Sequence, residues 1–273
     1  YQKKDYDICI TGSNAHLLSS EIATLISGRY IEFPIYPLTL EEFLTFRDKK
    51  KTDIENEFDL FLRYGGFPAI HHLDLKDELI YQYINSLYST ILLKDVIKRH
   101  QIRNVALLEK IIQFVFDNVG KIFSAKKVSN YLKEQKMRIG IETVQNYISY
   151  LCSAFIIQKV SRYDIKGKKH LNVYEKYYLG DIALRHALLG FRESDLSGVL
   201  ENIVYLELLK RGYKVSIGKF KDLEVDFIAE KENQKIYIQV AYLLASQETI
   251  KREFTVLREI KDNYPKYVVT LDK

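Results

Sequence analysis

The sequence has little cysteine, proline or methionine and no tryptophan: its 273 residues include two Cys, four Pro and one Met. Cys9 and Cys152 each lie in an apolar run and have neither metal-ligand nor disulfide-framework spacing. We therefore expect reduced core cysteines in a cytoplasmic protein. No stretch approaches the roughly 18 consecutive apolar residues of a membrane span, and no signal peptide is visible. These absences predict a globular chain without a membrane partner.

The sequence also lacks the phosphate-binding loop of a nucleotide hydrolase. That loop requires G-x-x-x-x-G-K-[ST], whose backbone amides and lysine hold the phosphates. Gly-Lys pairs such as those at residues 120–121 and 167–168 are followed by Ile122 and Lys169 instead. No apolar strand ending in Asp-Glu precedes Asp7 either, and no histidine cluster has metal-ligand spacing. We expect no autonomous ATP hydrolysis and no cofactor for this chain alone.

Positive charge is concentrated in the middle of the chain. Residues 98–170 contain fifteen Lys and Arg against five acidic residues, a local net charge of +10, whereas the whole chain carries +5. The remainder of the chain is therefore acidic overall. This asymmetry favours a polyanionic partner such as DNA. The alternative is a solvated, lysine-rich helical surface.

Residues 7–37 are predicted to form a strand, a polar turn, a helix and a second strand. The apolar run at 8–10 is typical of a buried parallel strand, and the apolar alternation at 31–35 predicts the second strand. In open α/β sheets, ligands bind at the carboxyl ends of the strands. Ser13 and Asn14, in the polar turn, are therefore candidate ligand contacts, although any α/β unit has polar residues in its turns.

The sequence resembles the second half of an AAA+ ATPase module in the segments ITGSNA, LLSSEIATLISGRY and YPLTLEEF. The resemblance is to a bacterial and archaeal branch that carries a C-terminal domain of unknown function, related to restriction-endonuclease folds. It continues through RYGGFP, TILLKDV and ENIVYLELLKRGY over essentially the whole chain. The resemblance implies that Asn14 (or Ser13) is sensor 1, which positions the attacking water, and that Arg29 is the arginine finger. It also implies a fragment of a longer parent that uses ATP and Mg²⁺ and self-associates.

Residues 124–160 form a candidate winged helix. Ser124 is placed to cap one helix, residues 141–153 form a second helix, and wing strands at 155–163 and 171–174 flank a basic tip. In such a fold the second helix lies in the major groove of DNA and the wing touches phosphate. Winged helices also dock proteins, so both kinds of partner remain open. The predicted nucleic-acid contacts are Lys126, Lys127, Arg138, Lys166, Lys168 and Lys169.

The C-terminal segment resembles the PD-(D/E)xK nucleases. Glu201 lies on a predicted helix, Asp226 on a predicted strand and Gln239 on the next strand. In these nucleases Asp and Glu hold Mg²⁺ while a lysine activates water. Here Gln239 replaces the second acid and Ala241 replaces the lysine. We therefore expect a degenerate nuclease-like site that holds no metal.

The sequence as a whole predicts an α/β fold of mixed α+β type in three parts. These are the rear of an AAA+ sheet with its helical lid (residues 1–97), a winged helix (98–175) and a degenerate nuclease-like domain (176–273). We expect part of an AAA+ ATPase, inactive as an enzyme by itself, whose C-terminal domains bind DNA or a protein. The alternatives are a DNA-binding or protein-docking module without enzymology and a Mg²⁺-dependent nuclease. Apolar spacing predicts further helices at 38–47, 54–64, 77–100 and 107–118.

Overall fold

The structure, a computed structural model, describes residues 9–14, 30–48 and 53–272, except for the side chains of residues 172–174. It has the mixed α/β fold that the sequence predicts. Helices dominate up to residue 153, and a six-stranded sheet with its flanking helices follows. The described chain contains no helix that is both long and apolar enough to cross a membrane.

Local signals in the sequence explain several helix boundaries. Thr39 precedes the first described helix and forms a capping box with Glu42, in which each side chain accepts the other residue's backbone N–H. Ser124 accepts the N–H of Lys127 as predicted. The described α-helices are α1 (Leu40–Phe46), α2 (Ile54–Tyr64), α3 (Asp77–Ile91), α4 (Val105–Asp117), α5 (Ala125–Glu134), α6 (Ile141–Ser153), α7 (Ile182–Leu189), α8 (Leu196–Lys210) and α9 (Gln247–Glu259).

The strands form one mixed sheet in the order β2-β1-β3-β4-β5-β6. The β1–β3 and β5–β6 pairs are parallel and the other pairs are antiparallel. A bridge between Phe123 and Glu175 places the segment before α5 along the second strand. The described strands are β1 (Ile157–Asp164), β2 (Lys169–Leu179), β3 (Lys214–Phe220), β4 (Leu223–Lys231), β5 (Gln234–Val240) and β6 (Lys266–Val269).

Three apolar clusters form the core. The largest runs from Phe43 to Leu184 and joins the helices of the first half to β1 and β2. The second lies between α8 and one face of the sheet, and the third between α9 and the other face. The first cluster spans the domain boundary predicted at residue 98, and the boundary predicted at 176 falls inside β2. The β1–β2 hairpin therefore belongs both to the helical part and to the sheet.

The strand predictions for the N-terminal stretch are wrong for the residues that the structure describes there. Cys9, Ile10 and all of residues 30–39 lack regular structure, and the side chains of Ile31, Phe33 and Ile35 are mostly exposed. A strand forms when its backbone pairs with a neighbour, and no described strand lies beside these residues. The helix predicted between the two strands lies outside the described residues.

The cysteine prediction is correct in part. Both cysteines are free, but Cys9 is exposed rather than buried. Cys152 is partly buried against the largest apolar cluster, as predicted. Burial raises the pKa of the Cys152 thiol to about 12.

Other predicted elements differ from the structure in detail. The helix predicted at residues 77–100 is α-helical only as far as Ile91 and continues as a π-helix over Leu92–Lys98. Such π segments are rare and often accompany functional sites. The first predicted wing strand corresponds to β1, the second extends into the longer β2, and α7 and α9 were not predicted.

Candidate functional site

Four charged side chains meet between α8 and the sheet. The Nζ atom of Lys176, from β2, lies 2.6 Å from Glu224 Oε1, 3.1 Å from Glu201 Oε2 and 3.5 Å from Asp226 Oδ1. The Lys176 side chain is only 3% exposed. An ammonium group has three donors and no acceptor, so three carboxylates provide a partner for each of its donors. We call these four residues the Lys176 cluster.

Hydrogen bonds hold the carboxylates of this cluster in place. The Tyr178 hydroxyl donates to Glu201 Oε2 at 2.9 Å. The backbone N–H of Val240 donates to Asp226 Oδ2 at 2.8 Å, and the N–H of Asp226 donates to Gln239 Oε1 at 3.2 Å. Strands β4 and β5 are thus connected by side chains as well as by their ladder.

Burial and mutual attraction set the protonation of the cluster. Burial raises the pKa of Glu201 to about 7, while the nearby Lys176 ammonium opposes this rise. Burial likewise raises the pKa of Asp226, again opposed by Lys176. For Lys176, burial alone would lower the pKa, but the three carboxylates outweigh it and raise the pKa above its ordinary value. Lys176 is therefore a charged ammonium at neutral pH.

The three residues of the predicted nuclease-like site all lie in or beside the Lys176 cluster. Three of their neighbours were not predicted as site residues. Those neighbours are Lys176, Glu224 and Tyr178. Lys176 lies on β2, three strands from β4 in the sheet order, so no local motif connects it to Asp226. The one sign of it in the sequence is that Lys176 comes directly before the apolar run of residues 177–179. A lysine in such a place is rarely buried unless it is paired with an acid.

The donor set does not fit a divalent metal ion. The carboxylate oxygens that would bind the metal contact the Lys176 ammonium instead. Gln239 is a neutral amide and residue 241 is an alanine, so neither adds a carboxylate to the set. Over the described ranges, no group of three His, Cys, Asp or Glu side chains is arranged to hold a metal ion.

The turn of the β1–β2 hairpin carries the basic tip predicted from the sequence. Lys166, Lys168 and Lys169 are all exposed, and none of them forms an ion pair with another described residue. The backbone N–H of Gly167 donates to Asp164 Oδ1 at 2.9 Å and shapes the turn. The three ammonium groups are therefore available to an external partner.

A second basic turn lies beside the first. The N–H of Ile165 donates to the carbonyl of Lys219 at 2.9 Å, so the end of β3 adjoins the hairpin turn. Lys219 and the exposed Lys221 were not predicted as contacts, and Lys221 is paired with Glu259 at 2.7 Å. Parallel pairing of β1 with β3 brings these two turns together, which a local reading of the sequence does not reveal.

The other predicted basic contacts lie on the helices before the hairpin. Lys126 and Lys127 are exposed in the first turn of α5, and Arg138 is exposed in the connection to α6. On α6, the apolar residues face inward and a polar surface remains. Its exposed polar residues are Glu142, Gln145, Asn146 and Ser149.

The residues with predicted ATPase roles lie in or near the N-terminal fragment that the structure describes. Ser13 Oγ donates to Asp95 Oδ2 at 2.9 Å, and Asp95 belongs to the π-helix. Asn14 is buried. Arg29 lies outside the described residues. The predicted sensor turn thus contacts the TILLKDV segment, and the ATPase roles of these residues stay predictions.

Asp181 is another buried carboxylate, and no cation among the described residues pairs with it. Its Oδ1 accepts the N–H of Ala183 at 2.7 Å and its Oδ2 accepts that of Gly66 at 2.8 Å. Burial raises the pKa of Asp181 to about 7, although both backbone donors oppose this rise. Gly65 has φ of 71°, and a Cβ there would lie 2.0 Å from Asp181 Oδ1. The two glycines of RYGGFP therefore allow the turn to close on Asp181.

A cavity of about 510 Å³ opens beside Asp181. It lies between residues 37–41, α8 and strands β5 and β6. Most of its wall is apolar and includes Phe61, Ile203 and Ile238, whereas Glu207 and Arg211 contribute charge. A volume of this size is typical of sites for small molecules or for a few side chains of another protein.

Comparisons with known proteins give a family but no activity. A family model described as "AAA domain" matches residues 1–44, and one described as "Domain of unknown function (DUF8612)" matches residues 55–195. An uncharacterized protein of Haemophilus influenzae is 38% identical over 268 residues, which is 97% of this chain and 65% of that protein. Uncharacterized protein MJ1544 of Methanocaldococcus jannaschii is 32% identical over 285 residues, 97% of this chain and 63% of that protein.

The chain thus spans just under two thirds of the length of these relatives. The match at residues 1–44 indicates an AAA-like ATPase portion. Since the second family model covers more than half of the residues, this chain belongs to the family defined by the domain of unknown function DUF8612.

Proposed function

We propose that this chain is the partner-binding part of an AAA-type ATPase and that its partner is duplex DNA, bound mainly through phosphates. The observation that carries the proposal is the exposed basic tip at Lys166, Lys168 and Lys169, which have no ion-pair partner among the described residues. Phosphate contacts by such lysines supply most of the affinity of sequence-independent DNA binding.

The arrangement around the tip supports DNA as the partner. Helices α4, α5 and α6 are followed by the β1–β2 hairpin, and the bridge between Phe123 and Glu175 adds a third short extended segment to that hairpin. This order and pairing support the proposal of a winged helix. In that fold, α6 would approach the major groove while the hairpin turn contacts phosphate.

The proposed binding has little preference for base sequence. The exposed polar residues of α6 are one Glu, one Gln, one Asn and one Ser, so no arginine is present for bidentate contact with guanine. Lys126, Lys127 and Arg138 would add contacts to the phosphate backbone. In the whole protein, Asn14 (or Ser13) and Arg29 would serve an ATP site that uses Mg²⁺, in keeping with the AAA-like portion.

Fluorescence anisotropy of a labelled duplex tests the proposal. The native chain should bind, and its affinity should fall steeply when salt is raised from about 50 to about 200 mM, because bound lysines release counterions. The K166A/K168A/K169A variant should bind at least tenfold more weakly, with a salt slope smaller by about 3.

A matched control separates local contacts from overall charge. Lys94, Lys214 and Lys251 are exposed on other elements, so K94A/K214A/K251A removes the same charge elsewhere. Equal loss of binding in the two triple variants would contradict a role for the hairpin. Absence of binding by the native chain at low salt would reject DNA as the partner.

Protein docking is the second candidate function, and the apolar cavity beside Asp181 favours it. A partner side chain could enter the cavity while Glu207 and Arg211 contact polar groups around it. If the native chain binds no DNA duplex, protein docking becomes the preferred proposal. A metal-dependent nuclease is not proposed, because the carboxylates that it needs contact Lys176.

A further inference from the structure

We propose that Lys176 is a built-in cation whose ammonium holds the position that a divalent metal ion has in the related nucleases. The native cluster would then bind no Mg²⁺, Mn²⁺ or Ca²⁺, and removal of the ammonium would create a site for a divalent ion. The inference rests on the Lys176 cluster alone and is independent of DNA binding.

The geometry places the ammonium where the carboxylates converge. Oxygens of Glu201, Glu224 and Asp226 lie 2.6–3.5 Å from one nitrogen atom. Carboxylate oxygens are the ligands that Ca²⁺ and Mg²⁺ prefer, at about 2.3–2.6 Å and 2.0–2.1 Å respectively. Small shifts of these side chains toward the point occupied by Nζ would therefore suffice to coordinate an ion.

The ammonium and a metal ion exclude each other at this point. Both are cations, both need the same three oxygens, and the nearly complete burial of Lys176 leaves no room for the two together. The second oxygen of Asp226 already accepts the Val240 N–H, and the Gln239 oxygen accepts the Asp226 N–H. These two oxygens already have hydrogen-bond donors within the described protein.

The built-in cation also has a consequence for the fold. Lys176 joins β2, which carries the basic tip, to α8 through Glu201 and to β4 through Asp226. A metal ion in its place would depend on the supply of that ion and on pH. A covalently attached ammonium keeps the hairpin fixed to the rest of the sheet without a metal.

Titration with Mn²⁺, followed by the EPR signal of the free ion, tests the native chain. We expect the native chain and D226N to leave the same free Mn²⁺ signal up to millimolar concentrations. A tight Mn²⁺ site in the native chain that D226N abolishes would overturn the proposal.

Thermal unfolding of K176A, with and without Ca²⁺, tests the created site. Millimolar Ca²⁺ should raise the melting temperature of K176A by roughly 5 °C, since a ligand that binds only the folded state stabilises it. The native chain and K176R should shift by less than about 1 °C, because both retain a cation. The double variant K176A/E201Q, which lacks one carboxylate, should lose most of the response.

Together the two experiments support or overturn the proposal whatever the behaviour of K176A. If K176A is folded and Ca²⁺ does not change its melting temperature, the proposal is overturned. If K176A unfolds without the ion, recovery of the folded state during refolding in Ca²⁺ would support it. If K176A remains unfolded in both conditions, the comparison of the native chain with D226N in Mn²⁺ decides.

Discussion

Lys169 and Lys176 lie on the same strand, β2, and have opposite environments. Lys169 is exposed at the hairpin turn without an ion-pair partner among the described residues, whereas Lys176 is buried among three carboxylates. One residue type therefore serves two purposes seven positions apart. The exposed lysine adds positive potential to the surface, and the buried one neutralises acids inside the protein. Burial and neighbours, rather than residue type, decide between these roles.

The largest expected effect is that of removing the buried ammonium. K176A leaves three carboxylates without their cation, two of them largely buried, and we expect the free energy of unfolding to fall by about 3–5 kcal/mol. Urea denaturation at neutral pH, without divalent ions, measures this loss. K176R keeps the charge and should retain part of the stability. A loss below about 1 kcal/mol in K176A would mean that the cluster does not need its cation.

Asp181 extends the comparison to a buried carboxylate that has no cation partner in the part of the chain that the structure describes. Its folded-state pKa is raised by burial to about 7 from an ordinary value of 3.8. The folded state therefore binds the proton more tightly, so this contribution to stability is complete below about pH 4 and is lost as pH rises through about 7. We expect the decline in unfolding free energy between pH 5 and pH 8 to be smaller in D181N, by an amount on the order of 3 kcal/mol.

Denaturant unfolding at several pH values tests whether the contribution of Asp181 to stability falls as pH rises. Glu201 titrates with the same sign, so the decline should shrink rather than vanish in D181N. His186 acts oppositely, because burial lowers its pKa to about 4 and stability from this group rises between about pH 4 and 6.5. D222N, at an exposed aspartate, is the matched control. An identical pH dependence in the native chain and D181N would refute the prediction.

A smaller effect is expected from the most exposed acid of the Lys176 cluster. The Glu224 side chain is 30% exposed although it lies 2.6 Å from the ammonium. In E224Q two carboxylates still compensate Lys176, and the amide oxygen can accept from Nζ, so we expect a loss of only about 1 kcal/mol. E230Q, on the same strand, is the control. A loss in E224Q as large as that in K176A would show that Glu224 dominates the cluster.

The smallest effect on stability is expected at the hairpin turn. In K166A/K168A/K169A the melting temperature should change by less than about 2 °C, because the side chains are exposed and lack ion-pair partners among the described residues. Differential scanning calorimetry of this variant beside K176A compares the two kinds of lysine directly. Strong destabilisation of the triple variant would mean that the turn is part of the folding core rather than a free surface.

Elements with complete local signals could be predicted from the sequence. The spacing of apolar residues predicted α2 and α6 at their observed bounds, and the cap predicted at Ser124 is confirmed. The alternation at residues 31–35 failed, because alternation makes a strand only when a neighbouring strand supplies hydrogen bonds. The π-helix Leu92–Lys98 has the same apolar stripe as the α-helix before it, so the periodicity did not distinguish the two.

The candidate site could be predicted only in part. Glu201, Asp226 and Gln239 were recognised because they follow a known spacing of helix and strands, and the structure brings them together. Lys176 was missed because it lies on β2, which pairs with β1 and not with β4 or β5, the strands that carry Asp226 and Gln239. Its position between the acids depends on how β1 joins β3, a contact between distant parts of the chain.

The sequence by itself determined the mixed α/β class, most helix boundaries and the concentration of positive charge in residues 98–170. These features follow from short-range periodicity, caps and composition, which act within one or two turns of chain. Only the tertiary structure decided that the hairpin belongs to the six-stranded sheet, that Lys219 adjoins the basic tip and that Lys176 lies among three carboxylates. These depend on strand pairing and on side chains from distant segments, because a buried ammonium is stable only where folding brings carboxylates to it.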